Sequence, residues 1–299
     1  MKINKIGEFG LIESIKKMLK TQARSIRIGD DCAVLPFNRK YVLLFTCDML
    51  IENVDFTRQD RLYLVGRKSL GASISDIAAC AGLPCYAQIS LGLSRHMSVS
   101  QVRELYRGII SEAGDFKVKV VGGDISSSDK LVIDVSLIGM VERKNLVRRT
   151  GARKGDTIFV SGKLGGSIYG RHLKFKPRVN EARYLVKNYK INSMIDISDG
   201  LIQDLGNILR QSNKGAILFK DLIPVSPEAH SFAEALYMGE DFELLFSLSP
   251  YGAKKLLNSR QPYRFYPIGE IVDKAKGLML LDKNAKKIKI KTTTGFSHF

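Results

Sequence analysis

The chain has 299 residues, 44% hydrophobic and 26% charged, the composition of a globular protein long enough to bury a substantial core. Lysine and arginine number 47 against 30 aspartates and glutamates, and the resulting +17 admits nucleic acid, anionic surfaces and polyphosphates as partners without choosing among them. The four cysteines, at 32, 47, 80 and 85, form no CxxC pair, which disfavours zinc and a disulfide framework, and no apolar run approaches the roughly 20 residues of a membrane span.

Reduced thiols and a cytoplasmic location are therefore expected, since Glu8 and Glu13 also interrupt any apolar signal core at the N-terminus. Leu11, Ile12, Ile15, Met18 and Leu19 repeat at helical spacing. A strand-like run from Tyr41 to Phe45 then delivers the chain to Thr46, Cys47 and Asp48. A helix is expected from Asp60 to Ala81; its second half, GASISDIAACAG, is nearly all small residues around Asp76, which permits close approach of backbone or ligand. The segments YAQISLGL and KVKVV read as strands flanking a helix from Val99 to Ala113, and KLVIDVSLIGMV as a further strand. The basic stretch RKNLVRRTGARKGD, which contains Gly151 and Gly155, breaks the pattern and places a boundary between domains 1–145 and 146–299. Beyond it come a strand TIFVSG, helical stretches, a helix from Gly200 within MIDISDGLIQDLGNIL, and strand signals AILF, FELLFSL, YPIGEIV and LMLL. The expected class is α+β, a mixed α/β protein. Seven lysines among aliphatic residues from Lys274 to Lys291 read as a solvated edge strand that discourages aggregation.

Acidic residues are scarce, yet aspartates recur where strands end or glycines cluster: Asp30 and Asp31 after Gly29, Asp48, Asp76, Asp124 after Gly123, and Asp196 and Asp199 around Ser198. Taken singly, each is explained as turn chemistry or a helix cap. Together, hard oxygen ligands without a Cys/His cluster favour Mg²⁺ bridging carboxylates to substrate phosphates. Gly122 and Gly123 at the end of an apolar strand suit backbone N–H groups approaching phosphate. Arg148 and Arg149 suit a phosphate clamp, and Glu240 in Gly239-Glu240-Asp241 is placed for an outside partner. No GxxxxGK[ST], GxGxxG or kinase HRD/DFG set is present, so the common nucleotide folds are disfavoured. His96, His172, His230 and His298 share no HExxH spacing and are assigned surface or capping roles.

GEFGLI at 7–12, IGDDCAVL at 28–35, TCDML at 46–50, SISDIAA at 73–79, VVGGD at 120–124, RRTGARKGD at 148–156, IDISDGL at 195–201, GEDFELLF at 239–246 and the closing GFSHF resemble the thiamine-monophosphate kinase family, within the superfamily of aminoimidazole ribonucleotide synthetase. The resemblance runs almost end to end. It implies N-terminal domains that pair into a β-barrel across a homodimer, and a C-terminal α+β domain closing a cleft over ATP and several Mg²⁺ ions. It puts Asp30, Thr46, Cys47, Asp48, Asp76, Asp124, Asp196 and Asp199 at metal positions, and Gly123, Asp124, Arg149 and Ser198 at ATP contacts. Asp55, Glu240 and Phe296 fall at substrate positions, and Asp124, Arg149 and Asp199 carry the catalytic roles. Two positions depart: the family's usual STD is Thr46-Cys47-Asp48 here, and its substrate-contacting histidine is Asp55. The implied reaction is phosphorylation of thiamine monophosphate to thiamine diphosphate, with ATP as co-substrate and neither nucleic acid nor membrane as partner. The competing readings are another ATP-using enzyme of the superfamily, or a basic RNA-binding protein that reuses the fold.

Overall fold

The computed structural model describes residues 3–19, 28–284 and 286–290. The first half runs α1 (Ile3–Leu19), β1 (Ala33–Pro36), β2 (Tyr41–Ile51), α2 (Leu62–Ala79), β3 (Leu83–Leu93), α3 (Val99–Phe116), β4 (Lys119–Ser127) and β5 (Val132–Glu142). The second runs β6 (Thr157–Val160), α4 (Val179–Asn188), β7 (Ile191–Asp196), α5 (Leu201–Ser212), β8 (Lys214–Phe219), α6 (Phe232–Tyr237), β9 (Leu244–Leu248), α7 (Pro250–Asn258), β10 (Tyr266–Asp273), β11 (Leu278–Leu281) and β12 (Lys287–Ile290). Each half has its own mixed sheet: β1-β2-β5-β3-β4, and β12-β11-β8-β10-β6-β9-β7. No helix among the described residues is long and apolar enough to cross a membrane.

Period-two patterning gives the first sheet one covered and one open face. On β2, Val42, Leu44 and Leu50 are buried while Phe45 and Met49 are exposed. Helix α2 covers the inner face against β2 and β5, and its far side meets α4 and β7 of the second half. That double burial accounts for the run of small residues, since a helix between two layers has no solvent face on which to place long side chains. The second sheet is packed through Ile158, Val160, Ile195, Leu245 and Ile271, with α5 supplying Leu201, Ile202 and Leu205. β12 forms its outer edge, with Lys287 and Lys289 exposed and Ile290 buried.

Two boundaries differ from expectation, and both move proposed site residues. Thr46, Cys47 and Asp48 lie inside β2, which continues to Ile51, because eleven residues of β5 pair along it. Gly122, Gly123 and Asp124 lie inside β4 and not at a strand end. Gly123 serves a close approach there: a Cβ would stand 1.8 Å from the Ile89 carbonyl oxygen of β3. The first sheet is open, with β1 and β4 at its edges, so one chain closes no barrel.

Candidate active site

Alternation along β2 sends Thr46 and Asp48 toward α2 and Cys47 to the opposite, exposed face. The Thr46 hydroxyl donates to Asp76, and Ser73 Oγ donates to Asp48 Oδ2 at 2.7 Å. Ser75 Oγ, on the same helix, donates to Asp196 Oδ2 at 2.6 Å, so α2 orders carboxylates from both halves of the chain. The bend that leads into β1 adds Asp31. Oxygens of Asp31, Asp76 and Asp196 lie within 4.8 Å of one another, and the buried Asp31 Oδ2 has no hydrogen-bond partner.

Three carboxylates this close and this buried repel one another. Burial, then Asp48, Asp196 and Asp31, hold Asp76 well above the ordinary range. Asp196 is pushed up to about 8, first by burial and then by Asp31, while Asp48 rises to about 6, again chiefly by burial. Burial also raises Asp31, against the opposing charge of Arg149. An all-oxygen donor set with an orphaned inward oxygen fits a hard divalent cation such as Mg²⁺.

Values raised in the folded state mean that folding takes up protons, so this contribution to stability is present at low pH and is lost as pH rises through the folded-state values. The metal-free protein is expected to lose melting temperature between about pH 5 and about pH 8, with Mg²⁺ restoring more of it at the alkaline end. A thermal melt that is flat or rising across that window without Mg²⁺ contradicts the cluster's electrostatics.

Asp30 is turned elsewhere. Its Oδ2 pairs with Arg148 Nη1 at 2.5 Å and its Oδ1 accepts the Arg149 N–H at 3.0 Å, whereas Asp31 takes the Arg149 guanidinium through Nη2 at 2.7 Å and Nε at 3.1 Å. Burial works against the charge on Arg149, but Asp31, Asp204 and Asp76 outweigh it and raise its pKa. Arg148 and Arg149 line a cavity of about 820 Å³ with Lys16, Arg210, Ser198 and Asp199. After β7, Asp199 accepts from Gln203 Nε2 at 3.0 Å and its N–H donates to Asp204 Oδ2 at 3.0 Å, so Asp204 fixes the start of α5.

A second cavity, about 1420 Å³, shares the wall formed by Ser198 and Asp199. Asp48, Asp55, Glu240, Lys68 and His172 face it together with the apolar Phe56, Tyr237 and Phe242. The Asp55 carboxylate is turned onto its own backbone, where Oδ2 accepts the Ile51 N–H at 2.7 Å, so it closes the turn after β2. His172, assigned a surface or capping role from sequence, is buried, 2.8 Å from Glu240 Oε2.

The fold therefore gathers Thr46, Asp48, Asp76 and Asp196 around α2, Arg149, Ser198 and Asp199 at the smaller cavity, and Asp55 and Glu240 at the larger. It does not bring the Cys47 side chain, Gly123 or Asp124 to them. Asp124 pairs with Ser90, and through Asp134 the same row reaches Met49, on the face opposite Asp48 and three strands away, about 14 Å at ordinary strand spacing. Phe296 lies outside the described residues. Lys68, His172 and Asp204 are site residues that the sequence had not singled out for these positions, and Asp31, part of the aspartate pattern read from the sequence, is absent from the metal positions that the resemblance implies.

Residues 29–141 match the family model AIR synthase related protein, N-terminal domain, and residues 145–280 match AIR synthase related protein, C-terminal domain. A thiamine-monophosphate kinase of Aquifex aeolicus (strain VF5) is 37% identical over 276 residues, 83% of this chain and 87% of that protein. The chain belongs to the thiamine-monophosphate kinase family. Another thiamine-monophosphate kinase, of Buchnera aphidicola subsp. Schizaphis graminum (strain Sg), is 32% identical over 98% of this chain and 99% of its own length. The structure of AaThiL complexed with AMPPCP and TMP superposes with a TM-score of 0.87 at 33% identity, covering 100% of this chain and 99% of that one.

Proposed function

We propose that the protein transfers the γ-phosphoryl group of ATP to thiamine monophosphate, giving ADP and thiamine diphosphate. The observation that carries this is the end-to-end match to a family member complexed with AMPPCP and TMP. The site is built in keeping with that reaction. The smaller cavity, with Lys16, Arg148, Arg149 and Arg210, suits a triphosphate. The larger cavity combines aromatic walls with Asp55 and Glu240, which suits a cationic heteroaromatic acceptor. Their shared wall at Ser198 and Asp199 is where donor and acceptor phosphates would meet.

Asp31, Asp76 and Asp196, with Asp48 and Thr46 beside them, are the proposed holders of Mg²⁺, and Asp30 and Asp199 are proposed metal positions by the resemblance, Asp30 being paired with Arg148. When bound there, the metal supplies charge neutralisation of phosphate oxygens. The chain itself supplies alignment: Arg149, pinned between Asp31 and the Gly29 carbonyl, presents a fixed cation, and Ser198 and Asp199 are fixed by the start of α5. A phosphomonoester with a second pKa of about 6 is already mostly dianionic at neutral pH, so the acceptor oxygen needs no general base. Parts for Gly123 and Asp124 toward ATP and metal are carried by the resemblance alone, since within one chain both stand apart from the two cavities; the backbone of Cys47 toward metal and Phe296 toward the acceptor are further proposed parts. Division at 145/146 into a metal-, ATP- and dimer-forming domain and a cleft-closing domain, and a cytoplasmic location, belong to the same reading.

The open face of the first sheet supplies a surface for a homodimer. Phe45, Ile138 and Tyr86 stand side by side on three neighbouring strands, Met49 lies on the same face, and all four are exposed. Two such faces brought together would close the proposed barrel and bury a contiguous apolar patch. Phe45→Glu is expected to shift the solution mass from twice 33.4 kDa to 33.4 kDa in light scattering. A monomeric unaltered protein contradicts the pairing.

The reaction is tested by ADP release with Mg²⁺ and ATP across thiamine monophosphate, thiamine and purine-pathway phosphates. Only the first is expected to drive it. Equal release with any acceptor, or with none, contradicts the assignment.

A further inference from the structure

Lys68 on α2 is a buried lysine whose side chain is 1% exposed. Its ammonium donates to the Asp55 carbonyl at 2.6 Å and to Glu240 Oε1 at 2.5 Å, and it lies 3.0 Å from His172 Nδ1. The same Nδ1 is 2.8 Å from Glu240 Oε2. Nδ1 thus stands between a donor, the Lys68 ammonium, and an acceptor, Glu240 Oε2. The Glu240 carboxylate is braced from behind on both sides, at Oε1 by the ammonium of the first half and beside Oε2 by the imidazole of the second. The carboxylate keeps 27% exposure and lines the larger cavity. With about four lone-pair directions on a carboxylate, two stay available to a ligand.

The backbone at Glu240 is constrained to match. Its φ of 62° is in the left-handed region, which side chains beyond glycine seldom adopt. The conformation is held by its N–H donating to the Ser198 carbonyl at 2.7 Å and by Ser167 Oγ donating to its carbonyl at 2.5 Å. A non-glycine residue is kept in a strained turn, with both side-chain oxygens fixed, at the wall of a cavity.

The geometry points to Lys68 and His172 as positioning residues that aim Glu240 at an N–H-bearing or cationic ring of the phosphate acceptor, and so set acceptor selectivity. This rests on the reading of the larger cavity as the acceptor site. Neither residue belongs to the carboxylate cluster or to the smaller cavity, so their effect is confined to the acceptor.

The test uses the full-length protein and steady-state kinetics with both substrates varied. His172→Ala is expected to raise the KM for thiamine monophosphate about tenfold or more, the loss of one contact to the carboxylate, with kcat and the KM for ATP changed less than about twofold. His172→Asn places an amide nitrogen where Nδ1 was, and is expected to keep the acceptor KM within about threefold of the unaltered protein. In a Glu240→Gln background His172→Ala should add no further increase, because the group it positions has gone. A fall in kcat with both KM values raised together, or an effect of His172→Ala that is the same with Glu240 present or replaced, overturns the inference and leaves the acceptor cavity in place. An unaltered protein that neither binds nor phosphorylates thiamine monophosphate overturns the cavity reading, and this inference with it.

Discussion

Replacing Asp76 by asparagine is expected to remove turnover and, at the same time, to raise the melting temperature of the metal-free protein. The two effects have one cause. Asp76 is held by burial and by Asp48, Asp196 and Asp31 well above the ordinary carboxylate range, so its charge opposes the fold. Asparagine has the same shape and still accepts from the Thr46 hydroxyl, so the packing of α2 against β2 is kept while one repelling charge is removed. Stability should rise on the order of 1 kcal/mol, a few degrees in melting temperature, and the gain should grow with pH. Turnover should fall by about two to three orders of magnitude, because a cation held between phosphates and this cluster loses a ligand. Lower stability with retained turnover would make Asp76 a structural residue and dissolve the proposed metal site.

Arg149→Ala is expected to act in the opposite direction on stability. Its guanidinium is the charge partner of Asp31, whose side chain has no solvent exposure. Removing it leaves a buried carboxylate uncompensated beside two others, a change of about 3 kcal/mol. Saturating Mg²⁺ should recover part of that loss, since the cation would compensate the same carboxylate. Turnover should stay low even in the stabilised, metal-loaded variant, because the cation that aligns the donor phosphates is absent. A variant as stable as the unaltered protein without Mg²⁺, or one whose turnover returns fully with Mg²⁺, contradicts the double role of Arg149.

The parts of the site legible in the sequence are those in which local pattern and final position coincide. Asp76 sits in a run of small residues that the pattern marked for close approach, and Asp196 ends β7, an apolar strand at the edge of the second sheet that leads into α5. Between Asp30 and Asp31 nothing in the sequence decides. The two are adjacent, and only the path of the turn sends one to Arg148 and the other to Asp76. Thr46, Cys47 and Asp48 read as a strand end because the apolar run stops at Phe45, yet pairing with β5 extends β2 through them and sorts the three onto opposite faces. Asp124 lies on an edge strand exposed along its whole length, a position that no local periodicity distinguishes from a strand terminus. His172 sits on a short 3-10 turn with no repeat, and its ammonium partner Lys68 is 104 residues earlier. Long-range pairing of this kind is set by tertiary packing of α2 between the two halves, which one sequence does not show.

Transfer of the γ-phosphoryl group from ATP to a phosphate acceptor is read in the fate of that group's oxygens. ATP carrying oxygen-18 in its three terminal γ-oxygens, incubated with the protein, Mg²⁺ and thiamine monophosphate, is expected to give thiamine diphosphate whose mass shows all three labels, in one-to-one yield with ADP. Label appearing in free inorganic phosphate with no labelled thiamine diphosphate would contradict it.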